Sequence, residues 1–187
     1  MGSYQLIYAD PPWSFNSKRT GGSMKSGAAA QYDTMSLAAM KALPVADQTA
    51  KDCLLVMWWV GSQPREAIEL AEAWGFKVRH MNGLVWNKLT KRGLPFFGMG
   101  YYTRAGMEAA LIAVKGRPTI LDHSIRQVRT AKVGRHSEKP AEFRDDLVKL
   151  CGDVPRLEMF ARATADGWDA FGNEVDSSIL LKGEEAA

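Results

Sequence analysis

Two consecutive prolines, Pro11 and Pro12, cut short an apolar run, Leu6-Ile7-Tyr8-Ala9, with an aspartate, Asp10, at the junction and an indole, Trp13, directly after. The apolar run reads as a buried strand. Proline lacks a backbone N–H and fixes its own φ, so the strand cannot continue and the turn is stiff. Pro11 also holds Asp10 in an extended conformation. The Asp10 carboxylate, the Pro11 carbonyl and the Trp13 ring are thereby delivered to the carboxyl end of a strand. That end is where open α/β sheets carry their sites.

A carboxylate beside a backbone carbonyl can accept both N–H donors of an exocyclic amino group, and a neighbouring aromatic ring can stack on the base. Such a cluster holds the nitrogen lone pair toward an electrophile. The same residues also fit a plain strand-ending turn with a capping aspartate, so the reading depends on the rest of the chain.

That rest alternates strands and helices. After Trp13, Ser14 to Gln31 is rich in Ser, Gly, Lys and Ala and reads as a basic loop, either a cover for the site or ordinary surface. Ser36 is a good N-cap for a helix over Leu37 to Leu43, which Pro44 stops. Cys53 to Val60 reads as a buried strand, with Trp58 and Trp59 on opposite faces. Pro64 opens a helix whose apolar face is Ala67, Ile68, Ala71 and Trp74, ended by Gly75. Phe76 to Trp86 reads as strand, turn and strand, and Glu108 to Val114 as a further strand. Pro140 opens a helix through about Leu150, closed by Gly152, and Arg156 to Ala161 is the last marked strand. Val175 to Ala187 reads as a tail, frayed after Leu181. The expectation is one α/β domain over residues 1–187.

The net charge of +3 is unevenly placed. Lys77 to Lys139 holds 13 Lys or Arg against 3 Asp or Glu, and the remainder is acidic. This is the footprint of a polyanion-binding face, or of a basic solvated surface. Leu94 to Tyr102 interleaves Phe96, Phe97, Tyr101 and Tyr102 with glycines next to Lys88, Lys91 and Arg92. That mixture suits phosphate neutralisation and base stacking, or a loop whose aromatics fold back on the core. Arg126, Arg129, Lys132, Arg135 and His136 form a second basic run. Cys53 and Cys151 lie among apolar residues and read as buried free thiols of a reducing cytoplasm, and no spacing of His or Cys suggests a metal. No apolar run is long enough for a membrane span, and there is no signal peptide.

Asp10-Pro11-Pro12-Trp13 resembles the catalytic motif of the MT-A70 family of amino-group methyltransferases that use S-adenosylmethionine. Tyr32-Asp33-Thr34-Met35-Ser36, Met40 and Leu43-Pro44-Val45 resemble the family's next segment. So do Leu55-Val56-Met57-Trp58, Val85-Trp86-Asn87-Lys88, Val114-Lys115-Gly116, His136-Ser137-Glu138-Lys139-Pro140 and Glu158-Met159-Phe160-Ala161-Arg162, in the same order, up to Asn173. The resemblance implies a Rossmann-like methyltransferase fold, with a mixed, mostly parallel sheet flanked by helices and the permuted beta-class order of motifs. It divides the chain into a catalytic half over 1–60, a basic target-recognition region over 77–139 and a cofactor segment over 140–175.

By the same resemblance, Asp10, Pro11, Pro12 and Trp13 carry the chemistry. Asp10, Lys139, Phe160, Arg162, Asn173 and Glu174 bind S-adenosylmethionine. The acceptor is adenine at its N6 amino group, in DNA, with RNA adenosine as the alternative; the compact chain with no appended RNA-binding domain favours DNA. Tyr32, Trp59, Lys88, Lys91, Arg92, Arg126, Arg129 and Arg135 are the candidate nucleic-acid contacts. The protein is expected to be a monomer or homodimer. A catalytically silent partner subunit of the same fold is the rival expectation, and a bare surface ion pair is the rival role for Lys139 and Arg162. Two departures stand out. Only nine residues precede Asp10, which leaves the family's upstream acidic contact without a counterpart, and Ala161 stands where relatives often have Gly.

Overall fold

The computed structural model describes residues 2–14, 34–100, 102–134, 138–179 and 181. The loop read after Ser14, Tyr32, Tyr101, Arg135 and the end of the tail lie outside the described residues. The elements in order are β1 (Tyr4–Ala9), α1 (Leu37–Ala42), α2 (Val45–Gln48), β2 (Thr49–Trp59), α3 (Pro64–Ala73), β3 (Lys77–Leu89), β4 (Gly98–Met99), β5 (Arg104–Ala105), β6 (Met107–Lys115), β7 (Val128–Lys132), α4 (Glu142–Cys151), β8 (Arg156–Met159) and β9 (Asp169–Phe171).

Seven strands form one sheet in the order β7-β3-β6-β2-β1-β8-β9, and β4 pairs with β5 as a separate hairpin. Only β6 runs against its neighbours, antiparallel to both β2 and β3. The other adjacent pairs are parallel. The central strands are apolar on both sides because both sides are covered. Ile7 and Ala9 of β1 and Cys53, Leu55 and Met57 of β2 join one core with Met40, Leu70 and Trp74 from α1, α3 and the turn after it. Leu6 and Tyr8, with Leu54, Val56 and Trp58, join the opposite core under Phe143 and Leu147 of α4.

Local chemistry sets the helix limits. Ser36 Oγ accepts from the Ala39 N–H at 3.1 Å and opens α1. Pro64 is the first residue of α3, and Gly152 closes α4 at φ 81° with its N–H on the Val148 carbonyl. The α4 helix starts at Glu142 rather than at Pro140, and β2 starts at Thr49 rather than Cys53. The strand, turn and strand expected over Phe76 to Trp86 is one strand, β3, whose register shifts between Val78 and Leu84 absorb Asn82-Gly83. A Cβ on Gly83 would lie 2.3 Å from Ile112 Cγ1, so close packing on β6 explains that glycine better than a turn does. Sequence reading missed β7 and β9. Cys53 and Cys151 are free and buried, and burial pushes their thiols up to about 12 and about 11. No helix among the described residues is long and apolar enough to cross a membrane.

Candidate active site

The Asp10 turn is pinned from several sides. The Asp10 N–H donates to the Met159 carbonyl at the end of β8, and the Met35 N–H donates to the Pro12 carbonyl at 3.2 Å. The Pro11 carbonyl accepts from the Trp13 N–H at 2.8 Å, which leaves it one further lone pair. The Trp13 ring is only 4 % exposed, and its Nε1–H donates to the Trp58 carbonyl at 3.0 Å. Trp13 therefore clamps the turn to β2. It does not present a stacking face, which corrects the sequence expectation: the stiff turn folds the indole back into the core.

The Asp10 carboxylate is one end of a chain of alternating charges. Lys139 Nζ lies 2.6 Å from Asp10 Oδ2 and 3.4 Å from Glu108 Oε2, and Glu108 also pairs with Lys88. The Lys139 side chain is 8 % exposed and sits over the Trp58 ring at 5.3 Å. Burial pulls the Lys139 ammonium down, but the charges of Asp10 and Glu108 outweigh it and hold its pKa above the usual lysine value. Burial raises the Glu108 carboxyl, and Lys139 and Lys88 more than reverse that, so it lies below the usual range. Beneath, Trp58 Nε1–H donates to the Tyr8 hydroxyl at 2.7 Å, and burial holds that phenol protonated. Lys139 thus fixes the orientation of Asp10, and Glu108 fixes Lys139. Glu108 was missed by sequence reasoning. It begins a strand that runs opposite to its neighbours, and only that reversal brings it to the same sheet edge.

Two more strand ends meet there. β8 and β9 end side by side, with the Ala161 N–H on the Phe171 carbonyl at 2.9 Å. A Cβ on Gly172 would lie 2.1 Å from the Ala161 carbonyl oxygen, so the two turns touch backbone to backbone. Phe160 turns at φ 61° and stacks on Trp74 at 6.3 Å, half-buried. Asn173 and Glu174 are exposed, and Arg162 Nε lies 3.6 Å from Glu174 Oε1. Ala161 is buried, so its methyl group is not on the open surface of the turn. An aromatic face after the neighbouring strand β8, with an amide and a carboxylate after β9 beyond it, makes a set that fits a nucleoside with a ribose diol.

The family model described as MT-A70 matches residues 4–174. The chain belongs to the MT-A70 family. It is 34% identical to the type II methyltransferase M.MunI of Mycoplasma sp over 95% of this chain and 80% of that protein. It is 26% identical to the N(6)-adenosine-methyltransferase MT-A70-like protein of Drosophila melanogaster over 98% of this chain. It is 24% identical to the N(6)-adenosine-methyltransferase catalytic subunit METTL3 of Homo sapiens over 97%. The chain spans 29% and 30% of the length of those two animal proteins. The sheet of this MT-A70 chain, mixed and mostly parallel with helices on both faces, is the Rossmann-like methyltransferase fold.

The expected nucleic-acid contacts of the MT-A70 chain divide sharply. Lys91, Arg92 and Arg126 are exposed. Lys88 is turned inward onto Glu108 and over the Trp86 ring at 4.8 Å, so its charge is already met. Arg129 is bound through Nε to the buried Asp146 at 2.9 Å. Trp59 is half-buried, with its Nε1–H on the Met81 carbonyl at 2.8 Å. Each of these three partly covered side chains has an internal polar partner. Tyr32 and Arg135 lie outside the described residues.

Proposed function

We propose that this chain transfers a methyl group from S-adenosylmethionine to the exocyclic N6 amino group of adenine in DNA. The observation that carries the reading is the Asp10-Pro11 turn, held open at the carboxyl edge of the sheet by Lys139, in a chain of the MT-A70 family. Adenine N6 follows the names of the animal relatives. DNA is favoured over RNA because the bacterial relative is matched over most of its length, and the animal adenosine methyltransferases over less than a third. The compartment would be a reducing one, the cytoplasm, where the free thiols of Cys53 and Cys151 persist.

Phe160, Asn173, Glu174 and Arg162 would hold the donor, with residues 140–175 as its segment, 1–60 as the catalytic half and 77–139 facing the target. When bound, S-adenosylmethionine supplies an electrophilic methyl group. The chain's own contribution is to place and stabilise the amine. Asp10 accepts one N–H of the amino group and the free lone pair of the Pro11 carbonyl accepts the other, which aims the nitrogen lone pair. Asp10 then stabilises the positive charge that grows on nitrogen, an interaction stronger in the transition state than before it. No strong base is needed beforehand, because the alkylated nitrogen is itself acidic and releases its proton to Asp10 or water. Lys139 keeps the carboxylate aimed throughout.

Transfer of a labelled methyl group to matched single-stranded DNA, duplex DNA and RNA tests the reading, with Asp10→Ala alongside. The expected result is label on adenine N6 in DNA, reduced by about 10²–10³-fold or more in the variant while donor binding persists. Label in RNA alone would move the acceptor. Donor binding with no label on any acceptor would make the chain a silent partner subunit and overturn the proposal.

A further inference from the structure

Of the seven large apolar side chains exposed among the described residues, four lie in the excursion that joins β3 to β6 (Leu94, Phe97, Met99 and Tyr102) and a fifth, Met107, opens β6. Scattered exposed apolar residues need no explanation, but a cluster does. Phe97 is 72 % and Met99 82 % exposed, and Tyr102 is fully exposed. Phe97 directly precedes β4 and Met99 ends it, two positions on, so the two exposed side chains stand next to one another at the hairpin. Tyr102 is held at φ 63°, a backbone region that favours glycine. A Cβ on Gly100 would lie 2.4 Å from the Thr103 carbonyl oxygen, so the turn admits nothing larger there.

The hairpin is fastened at its root. The Phe96 N–H donates to the Lys88 carbonyl at 3.0 Å, and the Lys88 N–H donates to the Gly106 carbonyl at 2.9 Å. Phe96, unlike Phe97, is turned toward Lys88, whose ammonium lies 5.2 Å from its ring. Lys88 pairs with Glu108, which reaches Lys139 and through it Asp10. The exposed tip therefore stands off the same sheet edge as the transfer site.

Its charge selects a partner. Between Lys88 and Met107 there is no Asp or Glu, while Lys91, Arg92 and Arg104 are exposed. Arg104 Nη1 lies 3.4 Å from Met99 Sδ, placing a cation beside the apolar tip. A second copy of this chain would bring the same cations against them. A duplex offers the complementary pattern, with phosphates outside and stacked bases within. An amino group inside a duplex is out of reach of Asp10 until its base leaves the stack.

We propose that the β4–β5 hairpin is a base-opening wedge: Phe97 and Met99, with Tyr102 beside them, enter the stack of duplex DNA where the target adenine leaves it, while Lys91, Arg92 and Arg104 hold the flanking phosphates. This rests on the adenine-methylation reading and extends it to duplex substrates. Apolar side chains that part a base step in this way are a recurring device of DNA-bending proteins.

The test compares wild type with a Phe97→Ala, Met99→Ala double variant, both residues being exposed and outside the core. Three substrates share one target adenine: paired in a duplex, opposite an abasic site, and single-stranded. The variant is expected to lose at least about tenfold in kcat/KM on the duplex and to stay within about threefold on the other two, because only the duplex requires unstacking. In parallel, 2-aminopurine replaces the target adenine, and its fluorescence should rise on binding of wild type but not of the variant. Equal loss on all three substrates, or no loss on the duplex, overturns the wedge. So does a wild-type dimer that the variant dissociates with uniform loss of activity, which would assign the tip to a second copy. If wild type labels no substrate yet still brightens 2-aminopurine, the methylation reading fails and the wedge stands; with no brightening, the wedge fails as well.

Discussion

Lys88, Arg129 and Lys139 belong to the same basic stretch as Lys91, Arg92, Arg104 and Arg126, yet the two groups live in different media. The first three are turned inward onto Glu108, Asp146, and the pair Asp10 and Glu108. The other four are exposed. A cation taken out of water must meet an anion, or burial forces it neutral. The inward group, with Lys139 nearly covered and Lys88 and Arg129 partly exposed, is therefore neutralised where it stands, and the charge a polyanion can feel is carried by the exposed group. The sign of a segment is not the charge it offers. What Lys139 does instead, with Lys88 behind it through Glu108, is aim: it fixes the carboxylate on which the proposed chemistry depends.

The largest effect is expected at Lys139, the most deeply covered cation of the inward group. In Lys139→Met, Asp10 and Glu108 lose their shared cation. Removing one partner of a buried ion pair costs about 3–5 kcal/mol. For a chain of this size that lowers the thermal midpoint by roughly 10 °C. Methyl transfer should fall by about 10²-fold as the carboxylate loses its aim. Affinity for DNA should stay within about twofold, because a neutralised cation releases no counterion. A DNA affinity that fell as far as the activity would erase the distinction between the two groups. Donor affinity, titrated on the same variant, measures the further contact that family resemblance gives to Lys139.

Glu108→Gln is a gentler break, since Lys139 keeps Asp10 and the amide still accepts a hydrogen bond. We expect a loss of about 1–3 kcal/mol at neutral pH. Its pH dependence has a definite sign. The folded pKa of Glu108 is depressed below 4.5, so its contribution is present above that value and is lost as pH falls through the lower folded pKa. The folded pKa of Lys139 is raised above 10.5, so its contribution is present below that value and is lost only as pH rises past the higher folded pKa. The difference in urea midpoint between wild type and Glu108→Gln should thus be flat between these limits and shrink on the acid side. A difference that grew on acidification would mean that Glu108 is not held by its lysines.

The core of the fold was legible because burial on both faces leaves unbroken apolar runs. β1 and β2 could be read that way, β8 alternates Leu157 and Met159 with Arg156 and Glu158, and α1 and α3 announced themselves through Ser36 and Pro64. The edges were not legible. β7 alternates exposed and half-buried residues and carries Arg129 and Lys132, so it reads as a basic arm. Charge on an edge strand also discourages pairing with another chain. β9 is three residues long, too short for a period to show. Asn82-Gly83 has turn chemistry, but packing on Ile112 uses the missing Cβ differently. At the site, Asp10 was marked by its prolines, whereas Glu108 is an acid at the start of an apolar strand, and its partners depend on the direction of β6. The inward turn of Trp13 could not be read either, since a ring after two prolines can face the core or the cleft.

The exposed group is sharpened by the smallest change. In a Lys91→Ala, Arg92→Ala double variant no buried partner is lost, so stability should hold within about 0.5 kcal/mol. If each cation neutralises one phosphate, the slope of log affinity against log salt should fall in magnitude by about 2. The loss should be uniform across sequences, because phosphate contacts position a duplex without reading it. Arg129→Ala is the matched control from the inward group. It leaves Asp146 without its partner inside the protein, so it should lower stability and leave the salt slope unchanged. Nitrocellulose filter binding over a salt series, with a thermal melt of each variant, reads both quantities. Slope and stability should separate: slope changes with Lys91 and Arg92, stability with Arg129. Were Arg129→Ala to flatten the slope as much as the double variant, Asp146 would be a partner only until DNA arrives, and the inward cations would have to be counted as phosphate contacts after all.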